Sequence, residues 1–215
     1  MAEYRCVSVT SLNKKKYKVV LEGIESIILS LYPSELRRYK IEEGSLLNDD
    51  NLIELKAILY KRGKERALYY LKSSDKTSSQ IKKKLKEGYY PIDIIDKIID
   101  FLINYGYVDD VRYTKNYISY NGKKKSIINM RKDLLLKGIE KDVIDSVLDE
   151  CDYDSEEQER VAIYAYCSRK MKSDMDEKEY NKFLMSLLRK GFKYEVIKSS
   201  VDAYMQEQNN FLGNF

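Results

Sequence analysis

The side chains of this sequence that could do chemistry are lysines, tyrosines, paired carboxylates and three cysteines; histidine and tryptophan are absent. Without imidazole there can be no Ser-His-Asp or Cys-His pair and no histidine-ligated metal. Cys6, Cys151 and Cys167 are scattered and odd in number, with no C-x-x-C spacing, so neither a disulfide framework nor a zinc site is indicated. Cys167 stands among apolar residues with no nearby base and reads as a small packed residue. Asp109-Asp110, Asp149-Glu150, Asp152 and Asp154 could hold a cation or share a proton. They fall where helix starts and acidic helix faces are expected, so capping and solvation account for them. Gly63-Lys64 lacks the upstream glycine and the following Ser or Thr of a phosphate-binding loop. No catalytic constellation emerges, no metal or cofactor is implied, and the sequence reads as non-enzymatic.

What remains is basic. Lys82, Lys83 and Lys86 form one cluster, Lys123, Lys124 and Lys125 another, followed by Arg131 and Lys132, with Arg112 between the two. Such clusters suit a polyanion or an acidic protein surface; the plainer alternative is solvated helix faces. The net charge of +4, from 39 basic and 35 acidic residues, hides a segregated distribution. Stretches 61–90 and 111–137 are strongly basic, whereas 91–110 and 138–160 are strongly acidic. The 20 tyrosines could stack on nucleobases, but most fall at expected helix seams, where the ring packs and the hydroxyl stays wet.

The elements that must position these residues are mostly helical. Nine Gly and two Pro in 215 residues argue against a turn-rich β-sandwich. Val7, Val9, Val19 and Leu21 alternate around the polar Asn13–Lys16 turn, predicting a hairpin, with a third short strand over Ile24–Leu29. Pro33-Ser34-Glu35 starts a short helix to about Tyr39, and Asn48 or Asp49 caps a longer one to about Leu71, with Gly63 as a weak point. Thr77-Ser-Ser-Gln80 is a capping box, and Gly88 is expected to supply a left-handed stop. Leu85-Lys-Glu-Gly88, Leu135-Leu-Lys-Gly138 and Leu188-Arg-Lys-Gly191 each precede an amphipathic run, and the first is out of register by one. This recurrence predicts a mainly α fold of tandem three-helix, helix-turn-helix-like repeats in an elongated array, after a small N-terminal β-containing segment. The expected boundaries are 1–64 for the hairpin and its helices, 65–110, 111–158 and 159–208 for the repeats, and 209–215 for a tail.

Several of these segments resemble the RecX family, regulatory proteins that modulate the RecA recombinase of bacteria. Gly106-Tyr-Val-Asp-Asp110-Val-Arg112-Tyr113 is similar to the family's Gly-aromatic-aliphatic-Asp/Asn-Asp motif, with Thr114 where alanine is usual. Lys76-Thr77-Ser-Ser-Gln80-Ile81 resembles its basic-Ser/Thr-x-x-Glu-Leu helix, with Ser74 where a second arginine is common. Gly122-Lys-Lys-Lys and Leu134-Leu-Leu-Lys-Gly138-Ile resemble segments of its second repeat. The resemblance covers about 65–208, and more weakly the longer N-terminal region of Gram-positive members. It implies a non-enzymatic regulator that binds in the groove of the RecA–DNA filament and alters, chiefly inhibits, assembly, strand exchange and coprotease activity.

Under that reading the basic residues form a stripe facing recombinase, single- or double-stranded DNA, or both, and the protein is a monomer. Two other readings remain open on the residues alone: a free-standing helix-turn-helix DNA-binding protein, and a helical-repeat scaffold for another acidic partner. Against the first, no one helix concentrates Arg, Asn and Gln for base readout. The first residues lack the apolar core of a signal peptide and no apolar stretch is long enough to span a bilayer, so the cytoplasm is the expected compartment and no membrane partner is expected.

Overall fold

The computed structural model describes residues 3–150, 155–172 and 175–212. Cys151, Asp152 and Asp154 lie outside them. The chain divides into two compact units, Met1–Asp109 and Asp110–Phe215.

The first unit opens with strands β1 (Glu3–Asn13), β2 (Lys16–Glu22) and β3 (Ser26–Leu31). The hairpin pairs Asn13 with Lys16 across the Lys14-Lys15 turn. Alternation buries Val19 and Leu21 of β2 and Ile27, Leu29 and Leu31 of β3. The expected inward Val7 is instead 44% exposed, because a register shift between Cys6 and Ser8 turns Cys6 into the core. Helix α1 (Pro33–Tyr39) follows, its start fixed by the Tyr32 backbone N–H donating to Glu35 Oε2 at 2.7 Å. The three-residue strand β4 (Leu46–Asn48) then pairs with β1, completing an antiparallel sheet of order β3-β2-β1-β4.

Asn48 caps α2 (Asp49–Leu71), its side chain accepting from Asn51 N at 2.9 Å. This helix runs unbroken through residue 64, so the expected boundary there falls inside it. Leu52, Leu55 and Leu59 belong to the same apolar core as the sheet residues and as α3 (Ser78–Glu87) and α4 (Ile92–Asn104). Gly63 is a contact rather than a weak point: a Cβ there would stand 2.4 Å from Ile98 Cδ1 and 3.2 Å from Tyr90 Cε1. The missing side chain lets α2 approach α4. Inside the unit, Glu35 pairs with Arg62, which also donates to Ser30 O at 3.1 Å. This link ties α1 and β3 to α2. The Thr77 box forms in full, with both reciprocal bonds at 3.1 Å.

The second unit contains α5 (Asp110–Asn121), α6 (Ile127–Leu136), α7 (Lys141–Glu150), α8 (Ser155–Lys170), α9 (Glu177–Arg189) and α10 (Tyr194–Leu212). Ile118, Leu134, Ile139, Ile144, Val147 and Leu148 form one core; Ile163, Cys167, Phe183, Leu187, Phe192, Ile197 and Val201 help to form a second. Ser126, the buried cap of α6, joins the two groups by donating to Lys190 O at 2.9 Å. The buried Glu159 of α8 accepts from Ile127 N at 3.4 Å. Among the described residues no helix is long and apolar enough to cross a membrane.

After the second helix of each three-helix group the left-handed stop is Tyr89 (φ 57°), Gly138 (φ 78°) or Gly191 (φ 81°). Gly88 has φ −85°, so the expectation for it is corrected. With the frame moved to Tyr89, the one-residue offset vanishes. Eight residues before the stop stand Ile81, Met130 and Phe183; four before, Leu85, Leu134 and Leu187; one after, Tyr90, Ile139 and Phe192. All nine are buried. The third helices continue the match with Ile94, Val143 and Val196, then Ile95, Ile144 and Ile197. The protein is mainly helical, with three-helix groups in a common frame after a small β sheet.

Candidate partner-binding surface

The shared frame explains which cations are neutralised. Seven residues before the stop, Lys82 and Arg131 occupy equivalent places on α3 and α6. Seven residues after it, Asp96 and Asp145 occupy equivalent places on α4 and α7. Lys82 Nζ lies 3.0 Å from Asp96 Oδ1, and Arg131 pairs with Asp145. Lys115 on α5 likewise meets Glu150 on α7 at 2.7 Å, and Lys56 on α2 meets Asp93 on α4 at 2.8 Å. The alternation of basic and acidic stretches is therefore in part internal complementarity within the first two three-helix groups. These pairs are substantially exposed and hold the helices together only weakly.

Lys125 is bound more closely. Its ammonium donates to Asp133 Oδ2 at 2.6 Å and to Tyr117 Oη at 3.1 Å, while Tyr117 donates to Asp133 Oδ2 at 2.7 Å. The bond from Lys125, then that from Tyr117, holds the Asp133 carboxyl below the usual carboxylate range. The same bond to Asp133 raises Lys125 above the usual lysine range, and burial leads the causes that push the Tyr117 hydroxyl up. Lys125 thus fastens the α5–α6 turn, with its charge balanced by Asp133.

The exposed cations are arranged differently. Lys83 and Lys132, one residue beyond each paired cation, are equivalent in the frame, and both are exposed. Lys86 lies on α3 one turn from Lys82 and Lys83. Lys123 and Lys124 occupy the turn after α5, with Lys124 Nζ 3.9 Å from the Tyr120 ring centroid. None of these five forms an ion pair among the described residues. Arg112 is exposed in the first turn of α5. The structure therefore gathers Lys82, Lys83 and Lys86 in the first unit. In the second it places Lys123, Lys124 and Lys125 at the start of the turn into the helix that carries Arg131 and Lys132.

The remaining chemistry recedes. Cys167 is fully buried, and burial pushes its thiol up to about 11, far from a reactive thiolate. Cys6 is likewise buried and raised, chiefly by burial. Among the described residues no group of three or more Cys, Asp or Glu is placed to hold a metal ion. Many tyrosines lie beneath cations, as Tyr32 does beneath Arg62 at 4.1 Å. Glu159 and the basic ends of α8 and α9 carry no signal in the sequence, because their neighbours come from helices far along the chain.

Comparison with known proteins adds a family to this geometry. The model described as "RecX, first three-helix domain" matches residues 64–102. The chain is 33% identical over 155 residues to the regulatory protein RecX of Clostridium tetani (strain Massachusetts / E88), across 68% of this chain and 70% of that one. It is 29% identical over 206 residues to that of Clostridium botulinum (strain Eklund 17B / Type B), across 94% and 95%. A crystal structure of RecX from Lactobacillus salivarius superposes with a TM-score of 0.55 at 25% identity, covering 70% of this chain and 99% of that one. Another, of a regulatory protein RecX, gives 0.58 at 23% identity over 93% and 99%, a likeness of fold.

Proposed function

This chain belongs to the RecX family of regulatory proteins, and from that premise we propose that it binds the RecA–DNA filament as a monomer and inhibits its assembly, strand exchange and coprotease activity. The observation that carries the reading is the repeated dipeptide of one paired and one exposed cation, Lys82-Lys83 and Arg131-Lys132, at matching places in successive three-helix groups. A filament presents identical subunits at regular intervals. A protein with the same cation repeated in its own frame can meet two such subunits with weak contacts, the second being intramolecular once the first has formed.

In this reading Lys83, Lys86, Lys123, Lys124 and Lys132 face the filament, while Lys82, Lys125 and Arg131 sit beside them with their charge balanced by carboxylates of their own group. Arg112 contributes at the start of α5. Long-range attraction by exposed cations speeds encounter and makes binding sensitive to salt. Co-sedimentation with RecA assembled on single-stranded DNA tests the proposal, with strand exchange followed in parallel. The expected result is saturable binding, weakened by salt, together with slower strand exchange. A protein that stays in the supernatant with filament and leaves strand exchange unchanged would refute it.

A further inference from the structure

The sheet of the first unit covers its two edges unequally. On β3, Arg62 reaches over the outer edge and donates to Ser30 O at 3.1 Å. On β1, the short strand β4 pairs only with Glu3, Tyr4 and Arg5. The loop before β4 adds two bonds at Cys6, one from Gly44 N to Cys6 O and one from Cys6 N to Ser45 O. Beyond Cys6, β1 continues to Asn13 with β2 on one side and, among the described residues, no strand on the other. The Val9 N–H points to that open side. It donates to Glu43 Oε1 at 3.3 Å, longer than an ordinary bond of this kind. Alternation along an antiparallel strand turns the N–H and C=O of Ser11 the same way.

Open edges are usually blunted by charge, by proline or by a covering element. Here the run Cys6–Asn13 holds no charged residue, no Pro and no Gly, in a chain of which 34% is charged. Val7 and Leu12 within it are 44% and 38% exposed. Charge stands only at the two ends of the run, and with opposite sign. The exposed Glu42 and Glu43 lie in the loop beside Cys6 and Val9, and the exposed Lys14 and Lys15 form the hairpin turn. Such an edge is complementary to itself. Laid antiparallel about a two-fold axis at Thr10, two copies set Val9 of each opposite Ser11 of the other, and the outward N–H and C=O groups of both residues pair. The same axis brings the lysine turn of each copy towards the Glu42-Glu43 loop of the other.

We propose that the open edge of β1 pairs antiparallel with β1 of a second copy of this chain, joining the two sheets into one across a dimer. Two-fold pairing closes at two chains, because each uses up its open edge. A few main-chain bonds and little apolar area make the contact a weak one. The inference goes beyond the filament reading. It takes none of the cations assigned to the filament, which single chains bind, and it describes the free protein.

Sedimentation velocity of the full chain from about 1 μM to about 500 μM, a range that spans weak association, tests it. The parent should pass from monomer to dimer as concentration rises. Thr10 is exposed and would face itself across the axis. Thr10→Lys and Thr10→Glu each set like charges opposite one another and should weaken the dimer about fivefold or more. An equimolar mixture of the two variants should restore it, because opposite charges then meet. Both variants should melt close to the parent, since the position is on the surface. Amide exchange at Val9 and Ser11 of the parent should slow as concentration rises, because their N–H groups become bonded. A parent that stays monomeric throughout overturns the proposal, and so do unchanged exchange rates at those two amides. Variants that dimerise as strongly as the parent place the contact elsewhere and also overturn it. A mixture that recovers nothing does the same, since the two Thr10 positions would then not meet.

Discussion

The first and second three-helix groups differ from the third in a way that separates what the fold requires from what the surface does. All three place large apolar residues at the same offsets from a left-handed stop, from Ile81, Met130 and Phe183 to Tyr90, Ile139 and Phe192. Only the first two carry the cation pair. Where they have Lys82-Lys83 and Arg131-Lys132, the third has Leu184-Met185, and Lys198 stands where they have Asp96 and Asp145. Nine residues past the stop, Ile98 and Val147 are answered by Ser200, which is buried and whose Oγ meets no partner among the described residues. The third group keeps the frame and loses the cation–carboxylate pair. Packing fixes the repeat; charge placement distinguishes one repeat from another.

The comparison can be broken most severely at the stops. Gly138 and Gly191 share a left-handed conformation, but a Cβ on Gly191 would stand 2.6 Å from Ser126 Oγ and 2.9 Å from Asn129 Oδ1. Ser126 cannot move freely, because it caps α6 and donates to Lys190 O. Gly191→Ala should therefore cost about 2–3 kcal/mol, against about 1 kcal/mol for Gly138→Ala. Urea melts of the two variants measure this, and equal losses would show that the α6 start does not rest closely on the α9–α10 turn.

Glu159 gives the next effect. Glu159→Ala removes the acceptor for Ile127 N and should destabilise by about 1–3 kcal/mol. Glu159→Gln retains an acceptor without a charge. Burial is the leading cause that raises the Glu159 carboxyl above its ordinary value. The folded state therefore holds the proton more tightly than the unfolded chain does. Stability from this site is present below the ordinary carboxylate pKa and is lost as pH rises through the raised one. The Gln variant should accordingly gain on the parent between acid and neutral pH. Melting temperatures across that range check the sign, and a gap that stays constant or narrows with rising pH would contradict it.

The smallest change sharpens the contrast at Ser200. Ser200→Ala removes a buried hydroxyl without a partner and should raise stability by about 1 kcal/mol. A loss on calorimetric unfolding would mean that the hydroxyl has a partner of its own.

Much of the fold was legible because its signals are local. The hairpin turn, the Asn48 cap, the Thr77 box and the Gly138 stop are each written in a few adjacent residues. The stop at Tyr89 was not, because glycine is the usual bearer of positive φ and Gly88 stands beside it. Strand β4 has three residues, too few for alternation to show. Gly63 looked like a defect because a missing side chain has no sequence signature of the Ile98 and Tyr90 that fill its place. The basic clusters were visible as composition, but their division into paired and exposed cations was not. The carboxylates that neutralise Lys82 and Arg131 lie on the following helix, and their equivalence appears only once the frame starts from Tyr89. The open edge of β1 was beyond reach, since it depends on how far β4 and the loop before it run alongside.

The central claim is that the exposed cation of each repeated dipeptide meets the recombinase filament. Lys83→Glu with Lys132→Glu tests it most directly, read by the affinity for RecA assembled on single-stranded DNA. Lys97→Glu with Lys198→Glu, exposed positions on α4 and α10, makes the same charge change at lysines outside the proposed set. Both double variants should melt close to the parent, since exposed lysines contribute little to folding. The first should bind the filament about tenfold more weakly or worse, with a shallower dependence on salt, and the second should bind like the parent. Parent-like binding by the Lys83 and Lys132 variant, or an equal loss in both, would contradict the account.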